Sequence, residues 1–324
     1  MPEGHSIHRI ARQFARHFEN APVAVSSPQG RFAAGAAQLD GHEIVDAFAV
    51  GKQMFLQFDH QLLLRVHLGL YGAWDFAGDI TVDATTFSAN GRMGQTNQRG
   101  TDLAGYEDSP WSMGAPRRAR LRMSEQEKLE APVDGDWPPE PVGQVRVRLL
   151  TPTAVADLRG PTVCEVDTPE QAQAQIDKLG PDPQVGDPVA NEERFVAGVR
   201  KRNVAIALLL MDQAVVSGIG NVYRAELLFR ARQNPFTPGR ELPEEVVRAL
   251  WHDWVHLMSI GVETGQMLTM DDLSPEDLAR AMASRDDRHW VYHRTGLPCR
   301  VCGTPIAMQE LGGRKLYWCP VDQA

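Results

Sequence analysis

Apolar residues recur at three- and four-residue intervals through Ile7, Ile10, Ala11, Phe14, Ala15 and Phe18. That spacing predicts an amphipathic helix with a single core-facing stripe. The period then changes. Short β-branched and aromatic runs at 43–50, 53–58, 62–67, 70–76, 145–149 and 153–158 predict strands, and their spacing suggests an antiparallel β-sandwich. The stretch 77–140 is rich in Gly, Pro, Ser and charge and lacks periodicity, so it is expected to be a long, partly disordered surface insertion. Its run Arg117, Arg118, Arg120 and Arg122 reads as a solvated basic stretch. A proline-rich segment at 181–188 is expected to link domains. Beyond it the pattern is helical, at about 191–200, 204–214, 221–231 and 243–262. A further helix begins at Ser274-Pro275-Glu276, with Ser as N-cap and Pro in the first turn. The expected class is α+β: a sandwich domain over 1–180, a helical domain over 189–288 and a finger hairpin over 289–324.

With 324 residues, 43% of them hydrophobic, the chain can build two cores. No apolar run reaches membrane-spanning length and no signal peptide opens the chain, so the expectation is a cytoplasmic protein without a membrane partner. The formal net charge of -9 is the wrong sign for a typical nucleic-acid binder. The acid is localised, however. Residues 123–140 hold six acids and one Lys, and 241–288 hold eleven acids and four Arg, whereas Arg194 to Arg240 holds eight Lys/Arg against two acids. The local potential matters more than the total.

Three motifs carry candidate chemistry. The chain opens Met1-Pro2-Glu3-Gly4. Trimming of Met1 would expose Pro2 as a secondary amine, a nucleophile toward a carbonyl-like carbon, with Glu3 beside it for proton transfer. A glycine turn, Gly218-Ile219-Gly220-Asn221, separates two apolar helical runs and places Asn221 as an N-cap. Such a turn either packs two helices or offers backbone N–H groups to a phosphate. Near the C-terminus, Cys299-x₂-Cys302 is followed after sixteen residues by Cys319-x₂-Asp322. Two knuckles at that spacing read as a zinc ribbon for one structural zinc, with Asp322 where a four-cysteine site has Cys. Either Asp322 is the fourth ligand, held less firmly than a thiolate, or the site is altered. The turn within the ribbon carries Arg314 and Lys315. Cys164, outside the ribbon, reads as a reduced core residue.

Taken together, Pro2-Glu3-Gly4, Gly51-Lys52, His67-Leu-Gly-Leu-Tyr-Gly72, Leu179-Gly-Pro-Asp182, Met211-Asp-Gln213, Gly218-Ile-Gly-Asn221 and the terminal finger resemble the formamidopyrimidine-DNA glycosylase/endonuclease VIII family, in that family's order. The resemblance implies a bifunctional DNA glycosylase and abasic-site lyase acting on damaged double-stranded DNA, a monomer without a nucleotide cofactor. It also implies a helix-two-turn-helix domain and DNA lying in a cleft between the domains. Pro2 would be the nucleophile and Glu3 the proton donor. Lys52 would contact phosphate and assist elimination, and Arg314 would grip the phosphate beside the lesion. Asn221, with the backbone of Gly218 and Gly220, would hold the bent strand. Leu70-Tyr71 would fill the gap left by the extruded base, a pairing closer to the endonuclease VIII branch and its oxidised pyrimidines; a core strand pair is the other reading of those two residues. Position 6, commonly Glu in the family, is Ser6. His5 or His8 could replace it, although both read first as surface helix residues.

Two other classes fit parts of the sequence. A damage-binding protein without efficient catalysis would suit Ser6 and Asp322 but not Pro2, Glu3 and Lys52. A zinc-ribbon adaptor would suit the finger alone.

Overall fold

A computed structural model describes residues 2–80, 118–123, 128–130, 137–271, 273–284 and 287–324. The chain divides into two compact units, Met1–Asp177 with Val262–Gly265, and Lys178–Gly261 with Gln266–Ala324.

In the first unit, helix α1 (Gly4–His17) leads into β1 (Ala24–Ser26), α2 (Ala33–Leu39), β2 (Ile44–Val50), β3 (Gln53–Phe58), β4 (Leu63–His67) and β5 (Ala73–Asp79). Strands β6 (Arg118–Met123), β7 (Lys128–Glu130), β8 (Val145–Leu150), β9 (Ala154–Arg159) and β10 (Val163–Asp167) follow, and then α3 (Pro169–Ile176). The strands form a six-stranded sheet, β1-β8-β9-β5-β6-β7, and a four-stranded sheet, β10-β4-β3-β2. Every named pairing is antiparallel. Side chains from both sheets and from α1 share one core, among them Phe14, Met54, Leu56, Leu64, Trp74, Phe76, Leu149 and Leu158. The predicted stripe of α1 is that contact. Phe14 meets Trp74 edge-on with centroids 4.7 Å apart and Phe76 at 5.1 Å. On the other face of the four-stranded sheet, Phe55 and Leu63 pack with Ala172 of α3, so β3 is buried on both sides. Opposite charges sit across neighbouring strands: Arg148 makes paired hydrogen bonds of 2.7 and 2.8 Å to Asp157, and Arg65 binds Asp167 at 2.6 Å and also Glu165.

Several expectations change. The run at 70–76 starts late as a strand, because Leu70 and Tyr71 occupy the turn before β5. Part of the span expected to be an insertion belongs to the sheet, since β6 pairs with β5 from Trp74↔Met123 to Asp79↔Arg118. The basic run thus lies largely on a strand; the rest of that span, with Arg117, falls outside the described residues. Helix α3 was not expected, although Thr168-Pro169-Glu170-Gln171 closes a capping box with Pro in its first turn.

The second unit contains α4 (Pro188–Arg200), α5 (Ile206–Leu209), α6 (Asn221–Arg230), α7 (Glu244–Thr264), α8 (Pro275–Ala283), and the hairpin β11 (Ala307–Leu311) and β12 (Arg314–Trp318). The expected cap is present, Ser274 accepting from Asp277 N–H at 3.1 Å, and Asp187 caps α4 in the same way, accepting from Ala190 N–H at 2.7 Å. The helix expected over 204–214 ends at Leu209, and Asp212 turns the chain by accepting from Ala214 N–H. Residues 180–182 are not a loose linker. Gly180 N–H donates to the Gln213 carbonyl at 2.7 Å, and Ser217 N–H donates to the Pro181 carbonyl at 3.1 Å. Among the described residues no helix is long and apolar enough to cross a membrane.

Gly180 is there because two backbones touch: a Cβ would lie 2.4 Å from the Val215 carbonyl carbon and 2.5 Å from the Val216 nitrogen. Gly180→Ala is expected to lower stability by about 1–3 kcal/mol, read as a lower urea midpoint at unchanged m-value.

Candidate functional site

The predicted site residues divide between the two units. In the first, Pro2 and Glu3 are both buried, Glu3 completely. Glu3 is the N-cap of α1 in extended backbone, and its side chain makes no capping bond to the helix. The first turns of α1 are buried nearly all round, His5, Ser6, His8 and Arg9 included. The two histidines are therefore not surface residues. Burial, then Arg9 and His8, push the His5 imidazole down to about 3. Burial thus favours the neutral form of His5, whose Nε2 lies 3.1 Å from the Ser6 hydroxyl.

With Gly51, Lys52 forms the two-residue turn joining β2 to β3, closed by the Val50↔Gln53 pair. Gly51 has φ +59°, the first-position requirement of a tight hairpin turn. Nearby, burial and then the Lys52 and Arg65 charges lower the pKa of His67. Leu70 and Tyr71 are 44% and 84% exposed; the structure gives them a projecting turn instead of a place in the core.

In the second unit the glycine turn is braced from within. Gly218, at φ +90°, donates its N–H to Gln213 Oε1 at 3.1 Å, while Gln213 Nε2 donates to the Met211 and Ile219 carbonyls. The Gly218 amide is therefore committed to the loop and is not offered to an anion. The N-cap of α6 is Gly220, and Asn221 is the first helical residue. The Asn221 side chain donates to the Lys315 carbonyl at 2.9 Å, and Arg224, fully buried, donates to the same carbonyl at 3.1 Å. Arg224 was not singled out from the sequence; its signal is a pair of charges, Arg224 and Glu226, among the apolar residues of one helical run. The local basic excess is also partly spent. Arg200 pairs with Glu244, Arg202 with Asp212, and Arg230 with Asp253 and Asp271.

One carbonyl of the finger is thus held by the start of α6. Further along that helix Glu226, completely buried, accepts hydrogen bonds from Trp290, Val291 and Tyr292 N–H and from the Thr269 hydroxyl. Burial raises its pKa, with those bonds working against the rise. The finger then packs Ile306, Tyr317, Cys299 and Cys319 on Ala225 and Phe229 of α6. In the hairpin, Gly312 and Gly313 have φ +61° and +71°, so Leu311↔Arg314 closes over a two-residue turn needing positive φ at both positions. Arg314 leaves that turn exposed.

The donor atoms of Cys299, Cys302, Cys319 and Asp322 all lie within 4.8 Å of one another. Asp322 Oδ2 is 3.0 Å from Cys299 Sγ, and the other two sulfurs are 3.4 Å apart. Three thiols and a carboxylate gathered so closely fit one structural zinc, the thiol protons leaving on binding. Cys164, by contrast, is half-buried in β10 with burial raising its thiol to about 12.

A sandwich opened by a buried Pro-Glu helix, a braced double-turn helical unit and a zinc ribbon together define the scaffold of a DNA-repair glycosylase. The family profiles agree. The formamidopyrimidine-DNA glycosylase N-terminal domain matches residues 1–131, the formamidopyrimidine-DNA glycosylase H2TH domain 179–272, and the zinc finger found in FPG and IleRS 296–324. "Endonuclease 8 1" of Mycobacterium tuberculosis is 39% identical over 324 residues, all of both chains. A formamidopyrimidine-DNA glycosylase of Thermus thermophilus is 37% identical over 129 residues, 40% of this chain and 48% of that one. In fold, the crystal structure of the Thermus thermophilus Fpg protein aligns with TM-score 0.64 at 21% identity, covering 99% of this chain and 98% of that one. A complex of Lactococcus lactis Fpg with abasic-site DNA aligns with TM-score 0.65 at 17% identity, covering 99% of each chain. The chain belongs to the formamidopyrimidine-DNA glycosylase/endonuclease VIII family, and by class it is a DNA glycosylase and abasic-site lyase of base excision repair.

Asp322 also borders a cavity of about 350 Å³ lined by Phe229, Arg232, Trp290 and Val301, which gives a chelator a route to the fourth ligand. Asp322→Cys is expected to slow zinc stripping by roughly tenfold or more, measured as zinc transfer to a chromogenic chelator. Removing the metal should depress DNA affinity and strand nicking well before it unfolds either core.

Proposed function

We propose that the protein excises oxidised bases, pyrimidines first, from duplex DNA through a Schiff base on Pro2, and then cleaves the strand by β,δ-elimination as a monomer. The observation that carries this is the placement of Pro2-Glu3 at the buried head of α1, in a unit whose β2–β3 hairpin presents Lys52 at its tip.

The chemistry follows from the groups. A target base must leave the stack before any side chain can reach its sugar, at a few kcal/mol. Once Met1 is removed, the Pro2 nitrogen forms a bond to C1′ while Glu3 protonates the ring oxygen, the sugar opens and the base departs. The resulting iminium acidifies C2′. Loss of that proton expels the 3′-phosphate, and a second elimination releases the 5′ side. Lys52 contacts phosphate and assists proton removal, and Arg314 grips the phosphate at the lesion. Asn221, whose amide is engaged with the Lys315 carbonyl, acts on DNA chiefly through the finger it steadies. Projecting Leu70 and Tyr71 offer the apolar and aromatic surface that fills the vacated stack. The reading without catalysis leaves the burial of Glu3 beside Pro2 without a purpose.

Borohydride should trap the protein on abasic DNA through Pro2. Pro2→Gly is expected to lower trapping and nicking by roughly two orders of magnitude or more, and an extra residue ahead of Pro2 should abolish both. Intact-mass measurement checks removal of Met1. Undiminished trapping with a blocked N-terminus would place the nucleophile elsewhere.

Under single-turnover conditions, thymine glycol and 5-hydroxycytosine should be excised faster than 8-oxoguanine opposite cytosine. Tyr71→Ala should slow excision by roughly tenfold, since base–aromatic stacking contributes about 1–3 kcal/mol. The opposite rank order would assign the chain to purine lesions.

A further inference from the structure

At the open end of the β2–β3 hairpin, away from the Gly51-Lys52 turn, three side chains converge that the proposed chemistry does not use. His42 lies two residues ahead of β2, and Asp59 and His60 immediately follow β3. Backbone bonds hold these segments in place: Asp59 N–H donates to the Glu43 carbonyl at 2.9 Å, and Val23 N–H to the His42 carbonyl at 3.0 Å. One donor atom from each side chain lies within 4.8 Å of the other two.

The proton arrangement is informative. His60 Nε2 is 3.0 Å from the Gln38 carbonyl oxygen, which can only accept, so the ring proton sits on Nε2. The other nitrogen, Nδ1, is buried without a hydrogen-bond partner. Its lone pair faces Asp59 Oδ1, a second acceptor, across 3.4 Å. Two acceptors at that separation repel unless a cation joins them, either a proton on Nδ1, which makes the contact an ion pair, or a bound metal ion. Two ligand atoms each about 2.1 Å from a tetrahedral ion stand about 3.4 Å apart. A ligating imidazole that donates its remote N–H to a backbone carbonyl is the usual outer-shell support of a metal-bound histidine. His42 completes the set, with Nδ1 2.7 Å from the same Asp59 oxygen and its ring stacked on His60 at 3.6 Å and 12°.

We propose that His42, Asp59 and His60 form a second metal site, on the surface of the sandwich unit, for a divalent transition ion of zinc's class. Two imidazoles and a carboxylate suit such an ion, and water completes the coordination. His42 loses its Nδ1 proton to solvent as its ring, only half-buried, turns toward the ion. The bound ion ties the strand leading to Lys52 to the strand leading away from it, at the hairpin's base.

The test uses untagged protein already carrying one zinc in its finger, titrated with zinc chloride in a weakly chelating buffer. The expected result is a second equivalent bound at roughly micromolar zinc, with release of about one proton and an unfolding temperature higher by a few degrees. His60→Phe keeps an aromatic ring against His42 but removes the ligand nitrogen. It should weaken the second equivalent at least tenfold while leaving the finger zinc and abasic-site nicking unchanged, as should Asp59→Asn. Copper(II) in the same site should show nitrogen hyperfine coupling that His60→Phe reduces. An unchanged second equivalent in the combined His42→Ala, His60→Phe variant would overturn the proposal. So would wild-type protein that takes up no second zinc at roughly a hundred times the micromolar level; the cluster would then be a hydrogen-bonded network alone.

Discussion

The carboxylate of Glu226 is the interaction on which the second unit depends. It is taken wholly out of water, and three consecutive backbone N–H groups and one hydroxyl replace its solvation shell. An ionised group in that position is tolerable only because its donors are complete. The same bonds bring the segment at 290–292 onto α6, and the finger follows. Asn221 and Arg224 repeat the arrangement with reversed polarity, aiming two donors at one carbonyl of the hairpin. A single ten-residue helix therefore locates both the path into the metal site and the turn that bears Arg314.

Charge in this chain acts locally. Of the eight cations between Arg194 and Arg240, three, Arg200, Arg202 and Arg230, are paired with acids of the same unit. Two of the cations stand at the ends of ribbons, Arg314 exposed beside its turn and Lys52 within one. A protein with an overall acidic balance can approach a polyanion in this way, with few cations in defined positions instead of a general field. Its hold on undamaged duplex should be weak, and with few phosphate contacts only shallowly dependent on salt.

Elements with a strong period were legible in the sequence. The apolar stripe of α1, five of the six expected strands and the capped start of α8 all occur where patterning and cap chemistry indicate. The exception at 70–76 is instructive: Leu70 and Tyr71 look like strand residues by type, and only the tight turn around Gly69, at φ +67°, shows that they project. The helix expected over 204–214 failed for a related reason, since apolar residues there line a packed loop whose course is set by Gln213 and Asp212. Motif order located the residues with candidate roles. It could not reveal that the Gly218 amide is consumed by Gln213, that Asn221 lies inside α6, or that His5 and His8 are buried. The burial of the two histidines is set by contacts distant in sequence, whereas the Gly218 to Gln213 bond spans only five residues and depends on a side-chain course that motif order does not encode.

Lys52 and Arg314 lie on different sheets in different units, yet each is delivered by the same device, a two-residue connection between antiparallel strands. Such a connection has no slack. Arg314 opens its strand, so a one-residue slip of the hairpin pairing would carry it to the opposite face of the ribbon, while Lys52 sits in the turn itself and takes its direction from the turn's backbone. The direction of the Arg314 charge is thus digital rather than adjustable. Turn length, together with the positive-φ glycines Gly51, Gly312 and Gly313, is therefore what fixes where each cation stands.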